Sequence, residues 1–185
     1  MTGKIISSEK RAFFEEQGYL IMPRMFDMGL CRVLRAFAIE ELEKMAPPLE
    51  YELDLNYPGA PNDRQSLGAK TVRRILQAVS RDPKILAVAK DTKLCAAIGS
   101  LFKAQNGLMI SQNHHNCIMT KDARFSSDTL WHQDIRYWSF SDDNLISAWI
   151  ALGPEFANNG GLKVLPGSHL TEFSPSSYDP DLFFR

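Results

Sequence analysis

Apolar residues recur at helical spacing through the first hundred positions and then give way to runs typical of strands. EKRAFFEEQ (9–17) predicts a short helix capped by Ser7 or Ser8 and stopped at Gly18. YLIMP (19–23) reads as a strand ending at a proline. Asp27 caps a longer helix over 29–45, in which Leu30, Val33, Leu34, Phe37, Ile39 and Leu42 form one broad face. Pro47-Pro48 ends it. Residues 47–69 hold four of the ten prolines among glycine, asparagine and aspartate, a long irregular segment. Helix returns over 82–102, with Asp82 as cap, Pro83 at the first helical position and Asp91 capping a second piece.

From residue 106 the pattern changes. Residues 107–119, 129–135, 144–152 and 161–166 are rich in β-branched and aromatic side chains and predict strands. Asn158-Asn159-Gly160-Gly161 and Pro166-Gly167-Ser168 supply the turns. Helices first and strands afterwards predict an α+β chain with a mainly β core, its strands packed as an antiparallel sandwich.

Length and composition narrow the class. The 185 residues suit one domain, helical over 1–105 and β over 106–185. Lysine plus arginine (21) balance aspartate plus glutamate (22), so charge gives no reason to expect nucleic acid or a membrane as partner. Cys31, Cys95 and Cys117 form neither an even set nor a CxxC pair, which fits a reducing, cytoplasmic setting. The first residues carry no apolar signal core, and no apolar run approaches the length of a membrane span. Oligomeric state is not legible.

Chemistry concentrates in LWHQDIRYW (130–138). On a strand, residues two apart share a face at roughly 7 Å, so His132 and Asp134 project together. An imidazole and a carboxylate so placed are two corners of a metal site, and a second histidine would complete the facial triad of non-haem Fe(II). The pair alone is common by chance. Its setting between Trp131 and Tyr137-Trp138, with ISAWIAL as a neighbouring strand, offers the walls such a site needs.

WHQD, then SAWIAL, then NNGGLKVLPGSH resembles the phytanoyl-CoA dioxygenase family of Fe(II)- and 2-oxoglutarate-dependent oxygenases, continuously over about residues 129–169 and more faintly upstream. The resemblance implies a double-stranded β-helix, the cupin-like jelly roll, with iron at its mouth. It implies His132 and Asp134 as iron ligands, and Asn116 and Trp149, with Gln112 beside them, around the 2-oxoglutarate cosubstrate. Trp131, Ile135, Tyr137 and Trp138 fall on the substrate side. The implied reaction hydroxylates a small organic substrate with O2, and an aspartate at 134 favours hydroxylation over the halogenation run by relatives that lack it.

Several residues compete for roles. His114 and His115, adjacent on a strand, face opposite sides, so at most one joins the site. His169 of PGSH is expected in a structural turn and not on the metal. Arg73 and Arg74 could meet an anionic group, but a surface placement is the expectation. In the family, the third iron ligand and an arginine for the cosubstrate lie well beyond PGSH, whereas this sequence stops at Arg185. The expectation is therefore a fragment with the last barrel strands missing. The alternatives are a non-catalytic jelly-roll binding module, an inactive oxygenase fragment, or a cupin-like isomerase or sugar-binding enzyme, the last requiring His114 or His115 close to the pair.

Overall fold

The computed structural model describes residues 5–55, 57–102, 107–113, 115–141, 144–181 and 183–185. Local capping chemistry sets the helices where the sequence predicts them. Helix α1 (Ser8–Gln17) is capped by the Ser7 hydroxyl, which accepts from the Lys10 N–H, and ends at Gly18 in the left-handed conformation. Helix α2 (Met28–Lys44) begins at Asp27, whose carboxylate accepts from the Leu30 N–H. Pro83 opens α4 (Pro83–Ala89) behind an Asp82 cap, and Asp91 caps α5 (Thr92–Leu101). A one-turn helix α3 (Ala78–Arg81) precedes α4.

Three short strands make the sheet: β1 (Leu49–Tyr51), β2 (Val72–Leu76) and β3 (Cys117–Met119), antiparallel in the order β1-β2-β3. Glu50 pairs with Arg74 across β1 and β2, and Ile75 with Ile118 across β2 and β3. The core gathers around the central strand: Ile75 is wholly enclosed, with Leu34 and Ala38 of α2, Val72 and Ala78 nearby in sequence or packing. Arg81 ties this layer together. Its guanidinium reaches Glu41 of α2 at 2.6 Å and donates to the carbonyls of Leu76, Ala46 and Pro48.

The β half departs from the sequence reading. Residues 19–23 form no strand, and of the four segments predicted after residue 106 only Cys117–Met119 pairs in a sheet among the described residues. The rest of their described residues form no sheet, and Met109, Leu162 and Leu165 are open to solvent. Their composition favours pleated pairing, but β propensity acts only through partners packed alongside. Among the described residues the sheet is small and antiparallel, and helices share the core with it. The α2 face is also narrower than predicted, since Val33 and Ile39 are exposed.

The PGSH turn closes back onto α1. The Gly167 N–H donates to the Gln17 carbonyl at 2.9 Å, and His169 Nε2 lies 3.0 Å from the Glu15 carbonyl. The expected structural role of His169 is what the geometry shows. Gly18 makes this possible twice over: its φ of +80° suits glycine, and a Cβ there would collide with the His169 imidazole. Gly18→Ala is expected to cost about 1–3 kcal/mol in urea denaturation. His169→Ala in the same chain should recover part of that loss, because the steric share of the penalty disappears.

Candidate metal centre

His132 and Asp134 meet, but not as neighbours on a strand. Gln133 is extended, and Asp134 opens a single 3-10 turn, Asp134–Tyr137, that folds its carboxylate back toward the imidazole. His132 Nε2 lies 3.2 Å from Asp134 Oδ1. The other ring nitrogen, Nδ1, is 2.7 Å from the Leu130 carbonyl, an acceptor only, so Nδ1 carries a proton and donates it. Tyr137 and Phe183 stand edge-on to the ring at 5.6 and 5.9 Å.

The electrostatics follow from this contact. The hydrogen bond to Asp134 is the main reason the His132 pKa is raised, against the opposing cost of burial. For Asp134, burial pushes the pKa up, but the hydrogen bonds from His115 and His132 outweigh it and hold the carboxyl well below its ordinary range. His115 Nδ1 sits 3.3 Å from Asp134 Oδ2. Each carboxylate oxygen thus faces its own imidazole.

The pair fits a divalent metal. Histidine and carboxylate bonds of about 2.0–2.2 Å meeting at a right angle put the two donor atoms roughly 3 Å apart, close to the observed separation. A ligating histidine characteristically gives its other N–H to a backbone carbonyl, as His132 does. Among the described residues, no group of three or more histidine, cysteine, aspartate or glutamate side chains is arranged to hold a metal. Two donors are present, and His115 stands behind one of them.

The remaining candidates divide. Trp138 packs edge-on against His115 at 4.9 Å. The Tyr137 hydroxyl donates to the Asp181 carbonyl at 3.0 Å, and burial, with nearby Tyr57 and acidic groups, pushes its pKa up to about 12. Trp131 and Ile135 are partly exposed on the same segment, the Trp131 carbonyl accepting from the Phe184 N–H. Asn116 is engaged elsewhere: its side-chain oxygen accepts from the Val79 N–H at 3.1 Å, and its amide is 3.4 Å from the Gln112 carbonyl. The Gln112 residue itself is exposed. Trp149 donates its indole N–H to the Glu155 carboxylate. His114 lies outside the described residues.

Arg73 reverses its expected surface placement. It is fully enclosed, donating to Glu52 at 3.0 Å, to the Ser127 hydroxyl at 2.9 Å and to the Thr129 hydroxyl, with Tyr57 stacked 4.7 Å from the guanidinium. Ser127 and Thr129 lie just ahead of His132, so the cluster anchors the approach to the pair. Glutamates two apart in EYELD and arginines in VRRIL were the signal for a charged pairing across strands. A groove of about 560 Å³, lined by Leu42, Met45, Arg64, Lys70 and Phe125 among others, includes none of the residues expected at the site. No helix among the described residues is long and apolar enough to cross a membrane.

Comparison with known proteins gives a consistent picture. Residues 14–183 match the family described as Phytanoyl-CoA dioxygenase. The chain is 24% identical over 180 residues to a "Probable phytanoyl-CoA dioxygenase" of Caenorhabditis elegans, covering 95% of this chain and 57% of that protein. It is 26% identical over 168 residues to an "Ectoine dioxygenase" of Stutzerimonas stutzeri, covering 89% of this chain and 51% of the relative. It is 27% identical over 188 residues to "Phytanoyl-CoA dioxygenase, peroxisomal" of Mus musculus, covering 96% and 52%. The chain spans about half the length of the curated relatives it matches. No solved structure matches it significantly.

Proposed function

This chain belongs to the phytanoyl-CoA dioxygenase family, and from that premise we propose that it carries part of an Fe(II)- and 2-oxoglutarate-dependent dioxygenase that hydroxylates a small organic molecule with O2. The observation that carries the reading is the His132–Asp134 contact, with Nδ1 of His132 fixed on a backbone carbonyl and Nε2 turned to the carboxylate. Three relatives, one an ectoine dioxygenase and two phytanoyl-CoA dioxygenases, support the reaction class and leave the substrate open. The unpaired Cys31, Cys95 and Cys117 suit a reducing compartment. For the whole protein we propose the jelly roll that the family resemblance implies, with Asn116, Trp149 and Gln112 toward the cosubstrate and Trp131, Ile135, Tyr137 and Trp138 toward the substrate.

His132 and Asp134 would hold the iron. When bound, that metal supplies activation of O2 coupled to oxidative decarboxylation of 2-oxoglutarate. The chain's own contribution is positional. The Leu130 carbonyl fixes the tautomer of His132, so Nε2 presents its lone pair once the proton it shares with Asp134 leaves. Tyr137 and Phe183 wall the ring and keep bulk water from its flank. Aspartate, kept ionised by its two imidazoles, stays available as an anionic ligand.

The test is turnover by the full-length protein. Fe(II)-loaded protein with 2-oxoglutarate and O2 is expected to form succinate, slowly alone and faster with its substrate among small amino acids and acyl esters. Absence of succinate across such a panel, together with metal affinity no better than that of a His132→Ala variant, would sink the reading.

A further inference from the structure

Asp134 divides its two oxygens between two rings. Oδ1 lies 3.2 Å from His132 Nε2, and Oδ2 lies 3.3 Å from His115 Nδ1. His115 does not float in this position. It stands two residues before β3, whose pairing with β2 fixes the backbone there, and its ring is held at 88° against the edge of Trp138, 4.9 Å away. We propose that His115 is a positioning residue that occupies the outer oxygen of Asp134 and so restricts this carboxylate to metal binding through Oδ1 alone.

The inference rests on the iron-site reading above and adds to it a residue outside the ligand pair. A carboxylate with both oxygens free can close on a metal through two bonds and take up two positions. A non-haem iron site needs open positions for cosubstrate and oxygen, so a one-oxygen carboxylate keeps one of them available. Hydrogen bonds to the far oxygen of a ligating carboxylate are the usual means of holding it so, and their removal costs metal affinity. A cupin-like isomerase would also bring a histidine here, but as a ligand, with a nitrogen toward the metal. In this chain the nitrogen nearest the pair faces the outer oxygen instead.

Three substitutions in the full-length protein separate these roles, with Co(II) as a coloured probe of the site under anaerobic conditions. His115→Phe keeps a ring against Trp138 but has no donor, and His115→Ala removes both. Each is expected to weaken Co(II) binding about 10–100-fold and to change the intensity of the visible d–d bands as the carboxylate swings to two-oxygen binding. His115→Asn places an amide N–H near the position of Nδ1 and should restore both affinity and spectrum to within about threefold of the parent. A second readout needs no metal: ¹⁵N spectra of the metal-free protein should find the His115 Nδ1 protonated. Affinity unchanged in His115→Ala, His115→Asn as weak as alanine (the mark of a direct ligand), or a neutral ring protonated only at Nε2 each overturns the positioning role. If instead His132→Ala leaves Co(II) binding unchanged, the iron-site reading itself falls, and the purpose assigned to His115 falls with it.

Discussion

Replacing Arg73 by alanine is expected to destabilise the protein by about 3–5 kcal/mol, the range for breaking a buried ion pair and leaving one charge behind. In a domain of this size that is a fall of roughly 6–20 °C in Tm, readable by calorimetry or circular dichroism. The guanidinium is fully enclosed and serves Glu52, Ser127 and Thr129 at once, so its loss leaves the buried Glu52 carboxylate with bonds from Ser127 alone and no opposing charge. Glu52 is equally enclosed, and one of its oxygens, Oε1, has no hydrogen-bond partner. Removing both charges, as Arg73→Met with Glu52→Gln, should therefore cost clearly less than Arg73→Ala alone. A loss below about 1 kcal/mol, the usual value of an exposed ion pair, would return Arg73 to the surface role first expected of it.

The same cluster predicts an acid limit. Burial raises the pKa of Glu52, but hydrogen bonds from Ser127 and the charge of Arg73 overcome that, leaving it below the ordinary 4.5. A carboxyl whose folded pKa is depressed adds stability above its unfolded value, and that stability is lost as pH falls through the folded one. Stability should thus hold from neutral pH to about 4.5 and decline below it, and Glu52→Gln should flatten that decline.

Asp134→Ala should have the largest effect on function. With only two protein donors among the described residues, removing one is expected to weaken divalent-metal binding by more than about 100-fold, beyond the range for loss of an outer partner, and to abolish succinate formation. Calorimetric titration with Fe(II) or Co(II) reads the first and product analysis the second. Folding should survive, since Asp134 is about one-third exposed and belongs to no regular element beyond a single turn. Metal bound as tightly by Asp134→Ala as by the parent would remove this residue from the site.

The sequence was most informative where structure is local. Ser7, Asp27, Asp82 and Asp91 each cap the helix that their side-chain chemistry marks, because a cap needs only a short polar side chain and the next few N–H groups. Strands were read less well, because pairing is settled by distant residues. VRRIL looked like a charged surface run, yet Glu50 and Glu52, over twenty positions earlier, turn its arginines into cross-strand and buried partners. The segments 129–135, 144–152 and 161–166 have strand composition but lack strand partners among the described residues. His132 and Asp134 come together as predicted, though through an extended residue and a 3-10 turn and not through strand alternation. The sequence offers His115 only as a metal ligand or an exposed side chain. No local pattern marks it as a partner of Asp134, because that contact joins distant segments and leaves His115 an exposed residue.

The docking of the PGSH turn onto the end of α1 sets an order of events during synthesis. His169 and its contact at Glu15 are 154 residues apart. At the usual 5–20 residues per second, the ribosome delivers α1 roughly 8–30 s before the turn that packs on it. A helix of ten residues is marginal alone in water, so for that interval its last turn lacks the partners that hold it in the folded chain. A chain halted before Gly167 therefore lacks the contacts that the turn makes with the carbonyls of Glu15 and Gln17 at the end of its first helix.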